Sequence, residues 1–184
     1  RSVVTSFPPV RETMVLSKSE FIASLQNEVR ILLHLASKID RSTLDYRPTP
    51  KQRSTLELLR YMGMMGPMMI RYGLAKDGEF DRDAWMAEAK AAEARDFDQT
   101  LAAIAAQPDE YAKLFAEVRD DDFRSEMTAF DGSKMTRGDY LVNSVLGGCA
   151  AYRMQLFLYL KACGQEELGT SNLWRGVDAP ASTG

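Results

Sequence analysis

Gly148-Cys149-Ala150-Ala151-Tyr152-Arg153-Met154-Gln155-Leu156 lies near the end of a long helical segment. The start and stop signals of that helix are both present. Thr136 and Asp139 stand at capping spacing at its start. Cys163-Gly164 ends it, with the glycine just past the last turn, where a left-handed backbone is favoured. Gly148 and Tyr152 are four residues apart and therefore share one face of this helix. One offers no side chain and the other a phenol. The single histidine of the chain, His34, lies far away in another segment.

Three further helical segments precede it. Ser17 and Glu20 form a capping-box signature, followed by Ile22, Leu25, Val29, Leu32, Leu33 and Ala36 at helical period. Asn27, Arg30, His34 and Lys38 fall on the opposite side, which predicts that His34 faces water or a partner. Asp40 to Arg53 is a connector containing Pro48 and Pro50. A second capping box, Ser54 to Glu57, opens helix two, which runs through Leu58, Tyr61, Met62 and Met65 toward Tyr72. Pro67 predicts a kink or a break there, because it lacks the N–H and crowds the preceding turn. Lys76-Asp77-Gly78-Glu79 reads as a turn. Helix three is expected over about Asp83 to Ala106, with Trp85, Ala89, Ala92, Phe97, Leu101 and Ile104 as its inner stripe. Gln107-Pro108 is expected to end it, with a shorter helix following toward Arg119. Asp120 to Ser133 reads as irregular, with Asp131-Gly132 a strong turn signal. The fold class is thus all-α, a four-helix bundle with an additional short helix and an irregular C-terminal tail in which Trp174 is the expected anchor. One domain over 1–184 is expected, with a core at 17–164, an extended lead-in at 1–16 containing Phe7-Pro8-Pro9, and a tail at 165–184.

Composition narrows the function classes. Hydrophobic residues at 45% and charged residues at 27% match an ordinary soluble globular protein. A net charge of −3, with no long run of Lys and Arg, argues against a nucleic-acid partner, which needs a basic face to neutralise phosphates. No apolar run approaches the roughly 20 residues that cross a bilayer, and Arg1 to Val10 lacks a continuous apolar stretch. A cytoplasmic protein with no membrane contact is expected. Cys149 and Cys163 are about 21 Å apart on a straight helix, so they cannot bridge each other, and two reduced thiols are expected.

The chain resembles the DinB-like (YfiT-like) four-helix-bundle proteins over most of residues 17–164. The resemblance is carried by Leu44-Asp45-Tyr46-Arg47-Pro48, by Ser54-Thr55-Leu56-Glu57-Leu58-Leu59-Arg60-Tyr61, and by Thr136 to Gly164 with its Tyr152-Arg153-x-Gln155-Leu156. Such proteins usually hold a divalent metal, often zinc or nickel, with three histidines on the second and last helices. Some are thiol-dependent transferases or isomerases. The resemblance places the three ligand positions at Tyr61, Gly148 and Tyr152. None is histidine, glycine cannot ligate through a side chain, and a phenol with a pKa of about 10 is a poor ligand at neutral pH. The expectation is therefore a degenerate metal site with no metal and no cofactor.

Other candidates have ordinary explanations. Met62, Met64, Met65, Met68 and Met69 supply soft sulfur that suits Cu(I), but helical periodicity spreads them around the helix, and an adaptable apolar wall is the better reading. Cys149 has no adjacent base, and Arg153 one turn on is expected to serve packing or a carboxylate pair. Asp120-Asp121-Asp122 reads as a solvated turn, and Arg137-Gly138-Asp139 as the opening of a helix.

The leading functional expectation is a small-molecule pocket between helices two and four, near Tyr61, Met65, Gly148 and Tyr152. No catalytic residue is assigned. One alternative is a thiol-dependent transferase or isomerase with a remodelled site, to which Glu57 and Gln155 add polar atoms. The other is a structural interaction module. A homodimer is expected from the resemblance alone.

Overall fold

The computed structural model describes residues 16–76 and 78–180. The expected lead-in up to Leu16, Asp77 of the predicted turn, and the last four residues of the tail lie wholly or largely outside this range. Six helices and one hairpin follow in order: α1 (Lys18–Ala36), α2 (Thr55–Leu74), α3 (Arg82–Glu93), α4 (Phe97–Leu114), β1 (Glu126–Thr128), β2 (Lys134–Thr136), α5 (Arg137–Tyr140) and α6 (Gly147–Ala162). A π-helical stretch, Leu141–Leu146, joins α5 to α6, so these three form one long helical rod. The bundle consists of α1, α2, α4 and that rod; α3 is the additional helix and packs on α2.

Both capping boxes form. The Ser17 hydroxyl accepts from the Glu20 N–H while Glu20 accepts from the Ser17 N–H at 2.8 Å, and Ser54 and Glu57 repeat the arrangement. Thr136 caps α5 through the Asp139 N–H. Gly164, at φ +96°, ends α6. The core runs from Phe21, Leu25, Val29 and Leu32 of α1, through Leu58, Leu59 and Ile70 of α2 and Ile104 and Tyr111 of α4, to Leu156 and Leu160 of α6. The amphipathic periods of the sequence thus account for the bundle's shared interior.

Several expectations are corrected. The helix expected over 83–106 is two helices. Asp96 takes an extended backbone and caps α4, with Gln99 completing a third capping box, so the chain turns at Ala94–Asp96. Pro108 does not end a helix, because α4 continues through it to Leu114. A proline inside a helix costs about 3 kcal/mol. Ile104 and Tyr111, 0% and 1% exposed on either side of it, hold that turn against the core. Pro67 likewise does not break α2. Its neighbour Gly66 is needed for packing instead: a Cβ there would stand 2.3 Å from the Tyr111 hydroxyl, so α2 and α4 meet closely at this point. Gln107 supports the same contact by donating to the Met62 carbonyl at 2.9 Å. Asp120 to Ser133, read as irregular, includes a three-residue strand, β1, paired antiparallel with β2 (Met127 opposite Met135). Gly132 at φ +82° makes the turn between them.

The tail is also anchored differently. Trp174 is 63% exposed, whereas Leu168, Asn172 and Leu173 are buried. The Arg30 guanidinium donates to the Arg175 and Gly176 carbonyls and fastens the tail to α1. His34 does not face open water. Its ring lies against Asn172 at 3.1 Å and within 3.7 Å of Asp178, covered by the tail.

Arg153 ties these pieces together. Its Nε and Nη2 donate to the two Glu28 carboxylate oxygens at 2.7 and 3.2 Å, and its Nη1 donates to the Leu173 carbonyl. One side chain of α6 therefore holds α1 and the tail. With both partners largely buried, Glu28→Ala strands a guanidinium in the interior, an expected loss of about 3–5 kcal/mol of unfolding free energy. The joint change Glu28→Leu with Arg153→Met is expected to recover most of it. Urea unfolding measures both, and a single-variant loss below about 1 kcal/mol would contradict the reading.

Candidate functional site

The second capping box sets the direction of α2, and Tyr61 follows Glu57 by one turn. Its ring is held on three sides. Tyr152 of α6 meets it edge to face with centroids 5.0 Å apart, Trp85 of α3 approaches edge-on at 6.4 Å, and the Arg53 guanidinium covers its face at 3.9 Å. Burial first, and then the neighbouring Tyr152 hydroxyl, push the Tyr61 phenol up to about 12 despite the pull of Arg53. It is a neutral donor and acceptor at physiological pH.

The four residues expected to line a pocket are brought together, but they fill space. A Cβ on Gly148 would lie 3.5 Å from the Met65 methyl, so the methionine already occupies the room beside the glycine. Met65 also lines a small internal cavity with Glu28, Gln107, Tyr111 and Cys149, which has room for a single water-sized sphere. Tyr152 backs Tyr61. Of the four, Tyr61 lines a sizeable cleft, and that cleft lies between α2 and α3. Its volume is about 400 Å³, within the range of small-molecule sites. Met64 and Trp85 give it an apolar lining, and Arg53, Arg60 and Glu93 ring it with charge.

Arg53 and Arg60 went unnoticed in the sequence, and Trp85 was read only as part of a core stripe. Arg53 sits immediately before a helix cap, where a long side chain can fold back over the first turns. Trp85 follows the Asp81 cap of α3 and is only partly buried. Glu57 lines the same cleft, though both its oxygens are hydrogen-bonded, whereas Gln155 lies outside it. Glu57 accepts from the Ser54 N–H at 2.7 Å and from Arg47 at 3.2 Å, and Gln155 donates to the Tyr159 hydroxyl at 2.6 Å.

The residues present do not fit a three-nitrogen metal site. One position has no side chain, and a methionine methyl stands beside it. The other two are phenols packed on each other, one of them with a raised pKa. Among the described residues no group of three or more His, Cys, Asp or Glu side chains converges to hold an ion. The methionines disperse as their spacing requires: Met64 faces the cleft, Met65 faces Gly148, and the Met69 sulfur accepts from the Tyr140 hydroxyl at 3.7 Å. Cys149 is no nucleophile at neutral pH. Burial, reinforced by Glu28, pushes its thiol up to about 12 against the opposing effect of Arg153.

The raised Tyr61 pKa carries a signed consequence. The folded state favours the neutral phenol, so its contribution to stability is complete below the ordinary value of 10 and is lost as pH rises toward about 12. Tyr61→Phe is expected to remove one late component from the near-ultraviolet tyrosinate titration and to soften the alkaline loss of stability over that window. An unchanged titration in the variant would contradict the burial argument.

No protein-family model and no curated protein sequence matches the chain. Among solved structures it is similar to a DinB-like protein, YjoA, from Bacillus subtilis, with a TM-score of 0.59 and 15% sequence identity over 81% of this chain and 95% of that one. Among the described residues no helix is long and apolar enough to cross a membrane. The chain has the DinB-like fold, an all-α helical bundle.

Proposed function

We propose that this DinB-like bundle is a metal-free small-molecule-binding protein whose ligand is received against Tyr61. The pocket is entered from the α3 side, and Tyr152, Met65 and Gly148 form the packed wall behind it. The observation that carries this reading is the cleft of about 400 Å³ beside Tyr61, which combines an apolar lining with charged groups at its rim. The metal-free part rests on the donor set: Tyr61, Gly148 and Tyr152 offer no imidazole, and the space beside Gly148 is taken by Met65.

A screen of small organic compounds by thermal shift tests the reading, because a ligand at a hundred times its Kd stabilises the folded state by about 2.7 kcal/mol. The expected result is stabilisation of the native chain by at least one compound and loss of that shift in Ala89→Phe, which fills the cleft from α3. Equal shifts in both proteins would place binding elsewhere. One zinc or nickel ion held per chain after purification without a histidine tag would overturn the metal-free part.

A further inference from the structure

The cleft beside Tyr61 has an unequal supply of unsatisfied charge. Arg53 stands at its mouth with its guanidinium over the Tyr61 ring at 3.9 Å, and among the described residues that guanidinium has no carboxylate partner and no hydrogen-bond acceptor. Arg60, one residue before Tyr61, donates Nε–H and one Nη2–H to the Arg95 carbonyl. That bond fixes the guanidinium at the turn between α3 and α4. It leaves the remaining N–H groups, three of a guanidinium's five donors, without an acceptor among the described residues. On the acidic side, both Glu57 oxygens are already hydrogen-bonded, one to the Ser54 N–H and one to Arg47. Only Glu93, exposed at the rim, remains unpaired. Two cations of forked geometry thus share the cleft with two carboxylates, of which Glu57 is already engaged by Arg47 and the Ser54 N–H and Glu93 is not, beside an apolar lining of Met64 and Trp85 with Tyr61.

We propose that the cleft takes a small organic monocarboxylate with a flat apolar body, its carboxylate held by Arg53 and Arg60 and its body lying against Tyr61, Met64 and Trp85. A guanidinium matches a carboxylate through paired N–H donors, and Arg60 is already oriented by its bond to the backbone. Arg53 is stacked on an aromatic face, so it keeps its charge at the mouth without a protein anion that a ligand would have to displace. Glu93 disfavours a second carboxylate at the rim. The two guanidinium groups disfavour a cationic ligand.

The inference rests on the small-molecule reading above, and its test separates the two. Three probes share one aromatic body and differ only in charge: 3-phenylpropionate, 3-phenylpropanol and 3-phenylpropylamine. Binding is followed by the indole N–H resonance of Trp85 in a ¹⁵N-labelled full chain. The resonance is assigned with Trp174→Phe, since these two tryptophans are the only ones present. The propionate is expected to move the Trp85 signal and to bind at least about tenfold more tightly than the alcohol or the amine, with an affinity that falls as salt rises. Arg53→Ala is expected to weaken propionate by about tenfold and leave the alcohol unchanged. Arg53→Lys restores only part of the loss, because an ammonium keeps the charge without the planar fork. Arg53 is exposed, so neither change threatens the fold. Tighter binding of the amine or equal binding of all three overturns the anion assignment while the small-molecule reading stands. If no probe moves Trp85, the proposal of an aryl carboxylate ligand fails, and the compound screen with Ala89→Phe decides the broader reading by itself.

Discussion

The hydrogen-bonded ion pair between Arg153 and Glu28 sets how the last helix lies on the first. α6 is apolar on several faces, since Leu156, Phe157, Tyr159 and Leu160 are buried while Met154 and Leu158 are exposed. Hydrophobic burial alone would leave its rotation about its own axis weakly determined, because more than one face could serve as the inner one. A guanidinium that is 6% exposed cannot tolerate a wrong rotation. It must find the Glu28 carboxylate or remain charged and unpaired. Once it is paired, the same side chain reaches the Leu173 carbonyl, and the tail closes over His34 and the outer side of α1. The fixed rotation of α6 then directs Gly148 and Tyr152 toward α2.

The energy that orders the bundle comes from capped helix ends, from apolar stripes, and from close contacts such as Gly66 against Tyr111. Between α2 and α6 this chain puts two phenols in edge-to-face contact and a glycine beside a methionine. Aromatic pairs of this kind add about 0.5–1.5 kcal/mol beyond the area they bury. At this point α2 and α6 are joined by packing.

The parts of the fold that were legible in the sequence were those written in local chemistry. Ser17, Ser54 and Thr136 announced helix starts, Gly164 announced an end, and the recurrence of Leu25, Val29, Leu32 and Ala36 announced a buried face. The misreadings share a cause, which is tertiary packing overriding local preference. Pro67 and Pro108 read as breaks because isolated helices do not tolerate them, yet the buried residues around them keep both helices continuous. Asp96 and Gln99 were at capping spacing, but the alanine-rich periodicity running across them concealed the turn. β1 and β2, at three residues each, were too short to show alternation. Trp174 was expected to anchor the tail because it is large and apolar, whereas backbone carbonyls meeting Arg30 and Arg153 hold it. Tyr61 and Tyr152, which the resemblance put on two neighbouring helices near one site, meet edge to face. The cleft on the far side of Tyr61 was not legible, since it depends on where α3 lies.

The position of α3 follows from the turn at Asp96. Had the helix continued from Asp83 to Ala106, the segment bearing Trp85 would have extended the axis of α4 and projected past the bundle. The third capping box ends that continuity, and the chain turns so that α3 lies back along α2. The new helix buries little side-chain area. Ala92 is its one buried residue, and most of its other apolar residues are alanines. Small side chains along α3 leave a cleft beside Tyr61 of α2, and Trp85 approaches Tyr61 across part of it. Arg60 then braces the turn through the Arg95 carbonyl, which fixes the width of the gap at its lower end. The cleft is thus the consequence of a capping residue, a helix poor in buried side chains and one arginine. The space between α2 and α6 holds Met65 and the tyrosine pair instead.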